Sequence, residues 1–159
     1  AIVRGDARLL DAVIEQAREY AGHISCFCDE KGNTLRRFPK PEVFCLPLDA
    51  IQPSQFYADE LKASAVATFI TSEKDIIIPL TRREDRFISL DGHTRLYVAS
   101  RMGFEKVYGF ISPADGYIYD FASLAAARGI LSPRDITLLP HEEYCRLWLG
   151  FCREYFETH

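Results

Sequence analysis

Arg86-Phe87-Ile88-Ser89-Leu90-Asp91-Gly92-His93-Thr94-Arg95-Leu96-Tyr97-Val98-Ala99-Ser100-Arg101-Met102-Gly103 is the stretch that decides how this chain is read. Its first five residues are extended, the run from Leu96 to Met102 has helical character, and Gly103 closes the helix. Between them, Asp91-Gly92-His93-Thr94-Arg95 turns a strand into a helix. Gly92 permits a tight turn and lets a ligand approach the backbone. The helix opens with unpaired N–H groups and the positive end of its dipole, both of which favour an anion. Arg95 falls in the first turn, where its planar fork can grip a phosphate or carboxylate at two points. The same residues also suit a plain helix start, with Asp91 as N-cap, Gly92 as turn residue and Arg95 solvated.

Working outward, residues 75–80 and 86–90 read as strands joined by a polar hairpin tip at 81–85, where Arg82 and Arg83 sit. Residues 106–111 form a further strand, and 43–48 another, which leads into Ile51-Gln52-Pro53-Ser54-Gln55. Residues 58–70 read as a helix with Leu61, Ala65, Val66 and Phe69 along one face. Beyond residue 111 the chain is helical: 119–127 ends at Gly129, Ser132-Pro133 caps a short helix, and a last helix begins near His141. Tyr144, Cys145, Trp148, Phe151, Cys152 and Tyr155 recur on that helix at core or interface spacing. At the other end, Asp6 is placed to cap a helix whose stripe is Leu9, Leu10, Val13, Ile14, Ala17 and Tyr20. Two short strands, 23–28 and 34–38, follow around a polar turn, and Pro39-Lys40-Pro41 breaks regular structure. Residues 1–40 are therefore expected as a helix-plus-hairpin extension packed on a domain of residues 41–159.

The chain has 159 residues, of which 48% are hydrophobic and 26% charged, proportions ordinary for one globular domain with a real core. Nothing in it has the length of a membrane span or the form of a signal peptide, so a cytoplasmic protein is expected. A net charge of −4 argues against a broad DNA-coating surface. The 5 cysteines are an odd number and read as free thiols. A zinc site from His23, Cys26, Cys28 and Cys45 has the wrong spacing, because His23 would face away from Cys26 and Cys28 on a strand, so no metal centre is expected.

Residues 51–111 resemble the shared domain of the ParB and sulfiredoxin superfamily. The likeness is carried by Ile51-Gln52-Pro53-Ser54-Gln55, by Ile76-Ile77-Ile78-Pro79-Leu80, by Asp91-Gly92-His93-Thr94-Arg95 and by Lys106-Val107-Tyr108-Gly109-Phe110-Ile111. It implies an α/β (α+β) fold with a small mixed sheet, the N-terminal extension and C-terminal helices, and a corner that binds nucleotide phosphates. Sulfiredoxin-like members place a reactive cysteine where His93 stands here, so sulfinic acid reductase activity is rejected. ParB-type proteins bind CTP at this corner and carry a helix-turn-helix domain after it. Here the end of the chain is short and acidic, with Glu142, Glu143, Glu154 and Glu157, which argues against site-specific DNA binding by this chain alone. Small kinases that phosphorylate free serine share the Asp-Gly-x-x-Arg corner. The glutamate that serves them as general base falls at or near Gln55, so Asp59 or Glu60 would have to substitute.

The resemblance and the residues together give a ligand site of Ser54, Gln55, Asp91, Gly92, His93, Thr94 and Arg95. Gly92 and Thr94 are expected to offer N–H groups, Thr94 its hydroxyl, and Arg95 its guanidinium, with Asp91 holding the loop or Mg²⁺. One reading is a phosphotransferase or nucleotide hydrolase acting on a small hydroxyl-bearing metabolite with ATP, ADP or CTP and Mg²⁺, with Asp59, Glu60 or His93 as base. The alternative is a non-catalytic module associated with DNA or a protein partner, with the aromatic last helix as a homodimer surface.

Overall fold

Helix α1 (Leu10–Tyr20) forms from the apolar stripe near the start of the chain, but Ile14 is the one residue of the helix that is buried. In the computed structural model, which describes residues 1–159, this helix lies in the first of two units, Ala1–Val43 and Phe44–His159. Strand β1 (Cys26–Cys28) pairs antiparallel with β2 (Thr34–Arg37), and Phe27 packs with Val3 and Ile14 as the core of this unit. Cys26 and Cys28 share a face, as period two requires, with their free thiols 3.8 Å apart. Asp6 does not cap α1; its carboxylate takes the Arg8 N–H in the preceding turn, and Leu9 occupies the cap position.

The second unit is built around the Ile76–Leu80 run. Its elements are β3 (Phe44–Pro47), β4 (Ile51–Gln52), β5 (Tyr57–Asp59), α2 (Glu60–Ala67), β6 (Ile77–Arg83), β7 (Arg86–Ser89), α3 (His93–Arg101), β8 (Lys106–Ile111), α4 (Gly116–Ala127) and β9 (Thr137–Leu139). A final helical span comprises α5 (His141–Tyr144), a π turn (Cys145–Leu149) and α6 (Gly150–Thr158). The main sheet has the order β3-β8-β6-β7-β4. Pairs β3/β8 and β6/β7 are antiparallel, whereas β6/β8 and β7/β4 are parallel. This is a mixed α+β fold. The parallel β6/β8 pair requires a crossover, which α3 supplies after the β6–β7 hairpin. That crossover sets the first turn of α3 just beyond the end of β7.

Ile78 and Leu80, like Ile76 just before the strand, are fully buried, and β6 lies inside the sheet with β8 on one side and β7 on the other. Helix α3 contributes Leu96, Val98 and Ala99 to the same core, and the C-terminal helices contribute Phe121 and Trp148. No helix is long and apolar enough to cross a membrane.

Two expectations are corrected. Residues 58 and 59 are not helical but belong to β5, which pairs in parallel with β9, so helix α2 starts only at Glu60. Its inward residue is then Ala63, and Leu61 and Phe69 stand 62% and 59% exposed instead of lining a buried face. The hairpin tip is also shorter than its polarity suggests. Thr81, Arg82 and Arg83 continue β6, and the turn is left to Glu84, at φ 56°, and Asp85.

Candidate functional site

Gly92 is the N-cap of α3 and adopts a left-handed conformation, φ 78° and ψ 21°. A Cβ built on it would lie 2.5 Å from Ile78 Cδ1 and 2.9 Å from Arg95 Nη2. Glycine is therefore required twice, by conformation and by space. Gly92→Ala should lower stability by about 2–4 kcal/mol, combining backbone strain with overpacking. Chemical denaturation checks this, and an unchanged midpoint would contradict it.

No side chain caps α3. The first backbone bond into the helix runs from the Leu96 N–H to the Gly92 carbonyl, so the N–H groups of His93, Thr94 and Arg95 have no partner. The Gly92 N–H, expected as a donor, is instead taken by its neighbour Asp91, whose Oδ1 accepts it at 2.7 Å. The Thr94 hydroxyl makes no hydrogen bond within the protein.

Arg95 folds back so that Nη1 donates to the Ile77 carbonyl at 3.0 Å. It is half-buried and forms no ion pair. Burial lowers its pKa, and Asp91 opposes that through space. A cation at the positive end of a helix dipole, without a bound counter-charge, is an electrostatic liability that an anion would relieve.

His93, a ligand and base candidate in the sequence, is 5% exposed. The turn points inward because His93 is the first residue of the crossover helix, facing the end of β7. Its Nε2 accepts the Ser54 N–H at 3.1 Å and lies 2.9 Å from the Ser89 hydroxyl. A backbone N–H can only donate, so Nε2 is unprotonated and Nδ1 carries the hydrogen. Ser54 in turn donates its hydroxyl to the Ser89 carbonyl at 2.6 Å. The Nδ1–H has no protein partner, yet no unpartnered polar atom is sealed inside the protein, so this donor reaches accessible space.

His93 also lines a cavity of about 170 Å³, with Ser54, Gln55 and Asp91 on its polar side and Tyr117, Phe121, Trp148 and Cys152 among its other walls. Burial raises the pKa of Tyr117 and of Cys152, so both stay protonated at neutral pH. The structure thus gathers Ser54, Gln55, Asp91 and His93 around one cavity, with the free amides of α3 on the same turn. Thr94 and Arg95 do not line it.

The base candidates fare differently. Asp59 is 1% exposed; its Oδ1 caps α2 by accepting the Leu61 N–H at 3.0 Å, and its Oδ2 meets His141 Nδ1 at 2.7 Å. Both oxygens are engaged away from the cavity. Glu60 is exposed on α2 and also absent from the cavity wall. Gln55 donates to the Tyr57 carbonyl and to the Tyr144 hydroxyl, which an ionised glutamate could not do. Arg83 is held by the Tyr119 carbonyl and the Ser123 hydroxyl, and Arg82 lies over the Phe87 ring. Ser89 was not foreseen; a lone serine on a short strand gives no signal until the position four residues on is known to be a buried histidine.

Burial, and secondarily the Arg95 charge, pulls the His93 pKa from 6.5 down to about 4, with Asp91 opposing. In the unfolded chain the imidazole takes a proton near its ordinary value, while the folded protein refuses it until about pH 4. His93 therefore contributes fully above pH 6.5, and that contribution is lost as pH falls towards 4, a loss on the order of 3 kcal/mol. Denaturation midpoints across this range check it. His93→Gln should flatten the slope, and an equal slope in both proteins would contradict the assignment.

No protein-family model matches the sequence, and no curated protein matches it. Among solved structures, protein Atu1540 from Agrobacterium tumefaciens is similar over 59% of this chain and 52% of its own, with 19% identity and a TM-score of 0.37. The chain thus spans about half the length of that protein, and a likeness this weak says nothing about the site.

Proposed function

We propose that the larger unit is a ParB/sulfiredoxin-like domain that binds a nucleotide or another phosphate-bearing ligand at the start of α3. One observation carries this reading: unpartnered N–H groups of the first turn stand beside a half-buried guanidinium that makes no ion pair. A phosphate would accept from those amides and from the Thr94 hydroxyl, and would supply the charge that Arg95 lacks. Asp91 leaves Oδ2 free for the Mg²⁺ that accompanies a nucleotide, and ATP, ADP and CTP are the ligands to try. A nucleotide ligand also suits a cytoplasmic setting. Membership of the superfamily is part of the proposal and rests on the motifs of residues 51–111.

Binding is favoured over phosphotransfer. Asp59 is committed to its cap and to His141, His93 Nε2 is already an acceptor, and Asp91 is the carboxylate left at the cavity. A proton-accepting step on a small metabolite would fall to Asp91 or to a group that the ligand brings.

A thermal-shift panel of ATP, ADP, CTP and GTP with Mg²⁺, with tripolyphosphate as the base-free arm, tests the reading. Ligand at about a hundred times its Kd should add about 2.7 kcal/mol of stability. A shift with tripolyphosphate alone would retain the anion site and remove nucleotide specificity. No shift with any of them would defeat the proposal.

A further inference from the structure

Asp59, His141 and Cys145 come together away from the cavity described above. Asp59 Oδ2 lies 2.7 Å from His141 Nδ1, and His141 Nε2 lies 3.6 Å from Cys145 Sγ. The two contacts use opposite ring nitrogens, so the three groups cannot share one metal ion; they form a line. From this line the geometry points to Cys145 as a nucleophilic thiol, with His141 as its base and Asp59 as the group that positions the imidazole, acting on carbon electrophiles such as activated acyl groups.

The protonation states follow from the environment. Burial alone would push the Asp59 carboxyl up, but the hydrogen bonds from His141 and the Leu61 N–H, helped by the Lys62 charge, bring it below its ordinary value. An ionised carboxylate can only accept, so His141 must present Nδ1–H to it. In the neutral imidazole this leaves Nε2 as an acceptor, and the group facing it is the Cys145 S–H. Thiol, imidazole and buried carboxylate then stand in the order that activates a nucleophile.

Helix spacing alone does not produce this. Residues four apart on a helix are neighbours, so His141 and Cys145 would meet in any case. Asp59 comes from the end of β5, 82 residues away in sequence, and is 1% exposed. It reaches His141 because β5 pairs with β9, whose last residue precedes Pro140 and the start of α5. The helix also widens into its π turn at Cys145, a local distortion frequent at functional sites. Access is adequate: the His141 side chain is 50% exposed and Cys145 is partly buried.

In the reaction, the Cys145 sulfur forms a bond to the electrophilic carbon. Its proton passes to His141 Nε2, and the leaving group departs with the electron pair of the bond that breaks. With an ester or thioester, His141 then returns the proton to the departing alcohol or thiol, and an S-acyl cysteine remains. Asp59 exchanges no proton.

Limited treatment of the full chain with iodoacetamide at neutral pH, with alkylation measured at each cysteine by mass spectrometry, tests this. Cys45, an exposed thiol on β3, serves as the internal reference. Cys145 should react about tenfold faster than Cys45 despite being less exposed. His141→Gln should bring it to the Cys45 rate or below. Asp59→Asn retains the acceptor for the Leu61 N–H but loses the carboxylate, so it should slow Cys145 severalfold while Asp59→Glu recovers part of the rate. p-Nitrophenyl acetate should acetylate Cys145 and release p-nitrophenolate. If Asp59→Asn unfolds the chain, the wild type and His141→Gln still decide, because His141 lies at the surface. A Cys145 rate no higher than that of Cys45, or one unchanged in His141→Gln, would overturn the assignment.

Discussion

Phe121→Ala is expected to destabilise the larger unit by about 3–5 kcal/mol, the ordinary cost of removing a large aromatic side chain from a packed core. Phe121 is 3% exposed and sits among the rings of Tyr117, Trp148, Phe151 and Tyr155, with centroids 5.2, 5.7, 5.3 and 4.9 Å away. Those partners come from α4, the π turn and α6, so the void left by the ring could be closed only by moving several helices together. Edge-on aromatic pairs add to the loss beyond the buried area. Trp148 is the chain's single tryptophan and touches Phe121, so its fluorescence during urea denaturation reports on this region. The same change would open the cavity beside His93, whose wall Phe121 forms. A destabilisation below about 1 kcal/mol would mean that this core is not packed as described.

The second large effect concerns binding. Arg95→Gln removes the guanidinium, whose Nη1 now meets the Ile77 carbonyl at 3.0 Å, but keeps a neutral amide within the first turn of α3. A hydrogen bond to a charged group contributes about 1.5–3 kcal/mol, so phosphate affinity should fall roughly tenfold to a hundredfold. Stability without ligand should hold or rise slightly, because a half-buried cation at the positive end of the helix is removed. Calorimetric titration against the nucleotide that binds best gives the ratio directly. Equal affinity in both proteins would remove Arg95 from the site.

Much of the corner was legible in the sequence. A glycine between a strand and a helical run, followed by an arginine within one turn, places free amides and a cation together wherever the fold puts them. Sequence could not say that His93 faces inward, because that depends on which way the crossover from β7 to β8 passes over the sheet. Nor could it show that Asp91 occupies the Gly92 N–H, a contact between neighbours decided by one side-chain rotation. Residues 58 and 59 were misread for a different reason. Their partner strand, β9, lies far along the chain, and the alanines of α2 that follow carry helix propensity back across the boundary. Asp59 was picked out as an acidic residue at a helix start. Its contact with His141 was hidden by the same long-range pairing.

The central claim is that the first-turn amides of α3 receive a phosphate. The most direct test is an NMR titration of the ¹⁵N-labelled chain with ATP and Mg²⁺, or with whichever phosphate ligand gives the largest thermal shift. The amide signals of His93, Thr94 and Arg95 should move first and furthest, and in Arg95→Gln they should move only at higher ligand concentration. Saturable binding that leaves these three amides in place while shifting signals elsewhere would contradict the account.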